Sequence, residues 1–284
     1  MGDSWSCSVE RTESVCFSSA SRLMIPTKQK GQVKKTQLGT TPEEVMQNKQ
    51  KDSGKAGHTS ERKQDKQTVE LLRRTLSQLL EILIKDMDKF AEFDLKRIQQ
   101  YAVDVTLDPE TAHPELILSH DGKQVRHGDL QQNVIHNPER FDYCFCVLGK
   151  EGFSSGRFYY EVQVREKTKW DLGVAQESIS RKGTIITSPK NGYWTLWLRK
   201  KTKYEACDSP PSPLSLKQAP QKVGVFVDYE AGLVSFYDVG GKALIYSFIG
   251  QTFTEKLYPF FCPSHNSCGK NSAPLILTPL TQST

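Results

Sequence analysis

The stretch VGVFVDYEAGLVSFYDV, residues 223–239, does most to limit the folds open to this chain. Two runs of apolar residues flank Tyr229-Glu230-Ala231-Gly232, and a period of two belongs to extended strands. Val223, Val225 and Val227 line one face of the first run, while Phe226 lies on the other. Val234 and Phe236 continue the mixture in the return run. Apolar groups on both sides suit a central strand pair covered above and below. Gly232 supplies the left-handed backbone position that closes a four-residue turn.

The same grammar runs from Tyr101 to the end of the chain. Short extended segments alternate with Gly, Pro, Asn or Asp clusters, from Glu115–Ser119 through Tyr143–Leu148, Gly156–Arg165, Trp170–Ala175 and Gly192–Arg199 to Leu275–Pro279. No long helix separates them. The expected fold is therefore mainly β, a two-sheet antiparallel sandwich.

The sequence before that region has a different period. Val69, Leu76, Leu83 and Phe90 recur every seventh residue, with Leu72, Leu79 and Phe93 in a second stripe that Asp86 interrupts. No Pro or Gly breaks 67–101, so one long helix is expected there. Its stripes fit a coiled coil that makes a homodimer, or an amphipathic helix lying on the following domain. Upstream, residues 1–66 are rich in Ser, Thr, Lys, Gln and Gly and are expected to be a disordered polar tail. A hydrophobic content of 37% is consistent with a part of the chain outside any core.

Charge and cysteine usage exclude several classes. Residues 1–68 hold 12 Lys/Arg and 8 Asp/Glu, so the remaining 26 and 25 leave the folded part near neutral. Without interleaved aromatics the Lys-bearing tail is a poor nucleic-acid binder, and no nucleic-acid partner is expected. No apolar run reaches the roughly 20 residues of a membrane span, and the first residues lack a secretory pattern. Gly2 fits a loose myristoylation template, with Asp3 and Trp5 against it. Seven cysteines, without a Cys-x-x-Cys pair or zinc spacing, predict no metal and no cofactor. Cys144 and Cys146 read as small buried hydrophobes in a reducing, cytoplasmic setting. Phosphate-cradling glycine loops, His-Glu-x-x-His and Gly-x-Ser-x-Gly are all missing, and no catalytic residue is assigned. Glu161 and Asp228 are expected to satisfy local hydrogen bonds.

Ordered motifs then point to a family. Leu107-Asp108-Pro109, Phe141-Asp142 and Val147-Leu148-Gly149 resemble the PRY half of PRY-SPRY domains. Gly156-Arg157-Phe158-Tyr159-Tyr160-Glu161-Val162, Trp170-Asp171-Leu172-Gly173-Val174 and Gly192-Tyr193-Trp194-Thr195-Leu196-Trp197 resemble successive SPRY signatures, with Tyr160 where the family more often has Trp. Val227-Asp228-Tyr229-Glu230-Ala231-Gly232 and Leu257-Tyr258-Pro259-Phe260-Phe261 follow in order. The resemblance implies a PRY segment over 102–152 and a SPRY segment over 153–281, folded as one unit. A coiled coil before PRY-SPRY resembles the C-terminal half of tripartite-motif proteins. In those proteins a RING finger recruits a ubiquitin-conjugating enzyme. Residues 1–66 carry two cysteines and His58, against about eight ligands for a two-zinc RING. Ubiquitin ligase activity is therefore not expected of this chain alone.

The resemblance implies a non-catalytic protein-recognition module, an adaptor or decoy in innate immune or ubiquitin pathways. The alternative is the substrate-binding part of a ubiquitin ligase. Carried over position by position, the family's binding surface falls on Asp171, Trp197, Arg199, Ser264, His265, Asn266 and Ser267. Alternation puts Trp197 opposite Trp194, which favours one tryptophan inside and one outside. Arg199 shares the Trp197 face and is expected either to meet an acidic partner or to be solvated. Asp171 is expected to contact the partner or to cap a turn. Antibody binding is not carried over, because the branch of the family that contains the cytosolic antibody receptor has apolar or acidic groups where Arg199, His265 and Ser267 stand here.

Overall fold

The computed structural model describes residues 57–279 and the two-residue strand β1 (Phe17–Ser18). The tail expected to be disordered otherwise lies outside the described residues up to 56. Helix α1 (Gly57–Gln99) begins at Gly57 rather than Gln67. Its first turns contain Glu61, Arg62, Lys63, Gln64 and Lys66, straight-chain residues with high helix propensity. They carry no apolar period, so nothing in the pattern announced them.

The helix crosses two compact units, one ending at Met87 and the other beginning at Asp88. In the first, Val69, Leu72, Leu76, Leu79 and Leu83 are all 48–68% exposed. In the second, Leu95 and Ile98 are buried against Tyr159 and Phe226, with Tyr101 and Ala102 packed alongside. Neither Leu95 nor Ile98 belongs to the heptad stripes. Burial of the two contributes roughly 3–6 kcal/mol by transfer.

The sandwich is as expected. One sheet has six strands, in the order β10 (Ser212–Leu214), β9 (Lys203–Ala206), β8 (Tyr193–Arg199), β6 (Trp170–Gln176), β14 (Leu257–Cys262) and β4 (Val147–Leu148). The other has seven: β13 (Ala243–Phe248), β12 (Leu233–Asp238), β11 (Lys222–Asp228), β5 (Arg157–Gln163), β15 (Leu275–Thr278), β3 (Gln124–His127) and β2 (Leu116–Leu118). Every ladder in both sheets is antiparallel. Their facing sides make one core that includes Phe158, Tyr160, Trp170, Trp194, Val225, Phe236 and Phe261. A smaller cluster, with Phe141, Cys144, Cys146, Tyr193 and Phe260, packs on the back of the six-stranded sheet.

The opening hairpin is β11–β12, with β11 between β12 and β5. Val223, Val225 and Val227 are fully buried in the core, while Phe226 points to the helix. Both faces of this strand are covered, which is what its double apolar pattern required. Gly232 has φ +61°, and a Cβ there would fall 1.9 Å from the Gln251 carbonyl oxygen. No other residue fits this turn without moving backbone. Glu161 and Asp228 behave as expected. Glu161 accepts from Gln99 Nε2 and Tyr159 Oη, each at 3.0 Å, and Asp228 pairs with Arg157 at 2.6 Å.

Two details differ. Tyr143–Leu148 is not one strand, because Cys146 N bonds to Cys144 O at 2.7 Å in a tight turn and only Val147–Leu148 pairs. Three short strands were not anticipated, β1 among them in the stretch expected to be disordered. β10 extends the six-stranded sheet, while β7 (Ile186–Thr187) pairs in parallel with β1.

Candidate functional site

The register across the six-stranded sheet brings the expected residues together. Cys262 faces Asp171, Asp171 faces Trp197, and Trp197 faces Glu205, so one row crosses β14, β6, β8 and β9. Directly opposed residues share a face, and this row lies on the side away from the core. Trp194 is 3% exposed, packs edge-on against Phe253 at 4.8 Å and donates from Nε1 to Gln251. Trp197 is half-buried on the opposite face. One tryptophan is in and one out, as alternation demanded.

Arg199 lies over the Trp197 ring, its guanidinium carbon 5.1 Å from the ring centre. It also pairs closely with Asp171 and donates to the Leu198 and Trp170 carbonyl oxygens at 2.9 and 3.1 Å. Arg199 is thus held by an ion pair inside the protein rather than standing as a solvated charge. Asp171 is wholly buried and caps no turn. It stands beneath the surface and holds Arg199 against the indole. Burial pushes its carboxyl up to about 7, while the Arg199 guanidinium opposes the rise.

After Cys262 the chain leaves β14 in a loop that carries Ser264, His265, Asn266 and Ser267. Ser264, Ser267 and Cys268 have φ of 59°, 54° and 54°, a region that non-glycine residues seldom occupy. The loop is held there by its own hydrogen bonds. Ser267 N donates to His265 Nδ1 at 2.8 Å, and Gly269 N to Asn266 Oδ1 at 3.2 Å. Asn271, 1% exposed, reaches back from its Nδ2 to the carbonyl oxygens of Pro263 and His265. Its Oδ1 accepts from Thr168 N and Lys169 N. Lys167, also buried, donates to Ala273 O at 2.9 Å, and burial lowers its ammonium to about 8. The loop geometry is therefore set by hydrogen bonds within the protein.

His265 is exposed, yet its ring lies 4.7 Å from that of buried His127. His127 in turn meets Phe145 edge-on at 4.3 Å, and its Nε2 lies 3.3 Å from Glu115 Oε2. Burial, with the nearby His265, pushes the His127 ring down to about 4. Asn266 Nδ2 donates to Asp129 at 2.8 Å, which ties the loop to segment 128–137. There Leu130 and Ile135 are 81% and 82% exposed. Sequence reasoning missed these two, although apolar residues among Asp, Gln, Asn and His were the available signal. Asn271 and Lys167 gave no comparable signal, because a brace between distant loops has no period.

No group of His, Cys, Asp and Glu among the described residues could hold a metal ion. No described helix is long and apolar enough to cross a membrane.

Two family models match this architecture, the SPRY-associated domain over residues 105–153 and the SPRY domain over 157–276. The chain is a PRY-SPRY domain protein. Curated relatives include tripartite-motif proteins. Human Pyrin is 43% identical over 214 residues, which are 75% of this chain and 27% of Pyrin. The bovine E3 ubiquitin-protein ligase TRIM21 is 47% identical over 186 residues, 65% of this chain and 40% of the ligase. The PRY-SPRY protein thus spans well under half the length of these relatives. Among solved structures, the TRIM65 PSpry domain superposes with a TM-score of 0.55 at 20% identity, over 65% of this chain and 94% of that one. That likeness establishes the fold.

Proposed function

We propose that this protein is a non-catalytic recognition module, an adaptor or decoy that captures a protein partner at the sheet end bearing Trp197 and the 264–267 loop. The observation that carries the reading is Trp197, a half-buried indole on the outer face, fixed by Arg199 beside a hydrogen-bonded loop. Large amphipathic rings on rigid supports make strong anchors, since little conformational freedom is lost on binding. Asp171 and Arg199 serve as supports. Ser264, His265, Asn266 and Ser267 make the contacts, joined by Leu130 and Ile135. The heptad face of α1 pairs two copies, and two linked heads hold a partner more firmly than one. The buried thiols fit the reducing cytoplasm, the ubiquitin pathway fits the relative named as a ubiquitin-protein ligase, and an innate immune role rests on the family resemblance.

The kinship with TRIM21, named as a ubiquitin ligase, favours a second reading. There the same surface selects substrates for a ligase of which this chain is the C-terminal part.

Trp197→Ala tests the main reading. Proximity labelling in cells, parent against variant, should show loss of the enriched partners, with the melting temperature within about 2 °C because the residue lies outside the core. Unchanged labelling, or an equal loss of folding, would remove the assignment.

A further inference from the structure

The sheet end that carries Trp197 also collects positive charge. Stretches 164–171, 199–205 and 264–270 hold eight Lys/Arg and three Asp/Glu, a local excess equal to the +5 of the whole chain. The rest of the protein sums to zero. They are one surface. Lys201 N donates to the Thr168 carbonyl oxygen at 3.0 Å, and Asn271 links Thr168 to the loop that ends at Lys270. Of the eight, Lys167 is buried on carbonyl oxygens, Lys169 is half-buried and engaged, Arg199 is held by Asp171, and Arg165 has Glu166 at 3.8 Å. Lys200, Lys201, Lys203 and Lys270 are exposed, and among the described residues no carboxylate lies within ion-pairing distance of them.

The backbone supplies a second observation. The turn Lys200-Lys201-Thr202 joins β8 to β9, with Arg199 opposite Lys203. Both lysines have positive φ, 53° and 69°. Asn-Gly relaxes such a position, whereas a long side chain there costs about 1 kcal/mol or more. Two consecutive strained lysines oppose the stability of the hairpin and put two ammonium groups at its tip. Such strain persists where it serves a function.

We propose that this surface takes an acidic segment of a partner protein, its carboxylates on Lys200, Lys201, Lys203 and Lys270 and an apolar side chain on the Trp197 ring. The inference rests on the recognition reading above and names the chemistry of the partner. An extended nucleic acid fits less well, because Trp197 is a single platform and Glu205 interrupts the positive row beside it.

The test uses the full chain and three fluorescent probes. These are a short peptide of glutamates around a central phenylalanine, its glutamine counterpart, and a single-stranded RNA of equal charge. The glutamate peptide should bind at least about tenfold more tightly than the glutamine peptide, and salt should weaken it. The double variant K200N/K201G should lose about tenfold in affinity for the glutamate peptide while its melting temperature holds or rises. Equal binding of the two peptides, tighter binding of the RNA, or an unaffected double variant would overturn the proposal. If Trp197→Ala still abolishes labelling of cellular partners in that case, the recognition reading survives without the acidic partner. If it does not, both fall.

Discussion

Asp171 and Arg199 show how a motif residue can matter from beneath the surface. A carboxylate with no exposed surface sits under a guanidinium that is itself spread on an indole. Removing one member of such a pair leaves a buried charge alone, which typically costs about 3–5 kcal/mol. Replacing both by apolar groups of similar size is often neutral. Arg199→Met should therefore lower the urea midpoint markedly, and Asp171→Leu with Arg199→Met should recover most of the loss. Failure of the double variant to recover would mean that the pair does more than fix its own charges. The sequence revealed the outward position of Trp197, because two tryptophans three residues apart on a strand must face opposite ways. It did not reveal what Arg199 does. Pairing across strands depends on register, and register is set by the whole sheet.

Helix α1 combines two surfaces of different kinds. Its last turns bury Leu95 and Ile98 on the sheet, while Leu76, Leu79 and Leu83 stay in water. An exposed apolar stripe of this length is the surface through which a second helix would pack. Leu76→Glu with Leu83→Glu should turn a dimer into a monomer in multi-angle light scattering and leave the β-sheet circular dichroism unchanged. A parent chain that is already monomeric would end the pairing argument. The heptads were legible in the sequence. The docking of Leu95 and Ile98 was not, since it belongs to a contact with Tyr159 and Phe226 about 60 and 130 residues away. Strands β5, β6, β8, β11 and β14 were legible from alternation and turn residues, whereas β7 and β10 have too few residues to show a period.

At the scale of the molecule, acid should act through His127. Its ring is held down to about 4, chiefly by burial, whereas an unfolded histidine takes its proton near 6.5. Between those values the unfolded chain binds the extra proton, so stability falls as pH drops from about 6.5 to 4. The loss is at most on the order of 3 kcal/mol. The neighbouring Glu115 and Asp129 carboxylates, and the His265 and His113 rings, share that setting. His127→Phe removes the titrating ring, so its melting temperature relative to the parent should rise steadily from pH 7 to pH 4. A constant difference would show that His127 does not titrate on unfolding. The two-layer fold followed from short alternating segments alone, and the family models cover that same region.

The place of β15 in the seven-stranded sheet has a consequence for biosynthesis. Within the sheet the PRY hairpin β2–β3 joins β5 through β15, which follows every other described strand in chain order. While the ribosome is still translating, the two halves face each other across a missing slat. A message cut short before Leu275 would release a product whose PRY hairpin lacks its partner strand and whose β5 edge is open to other chains.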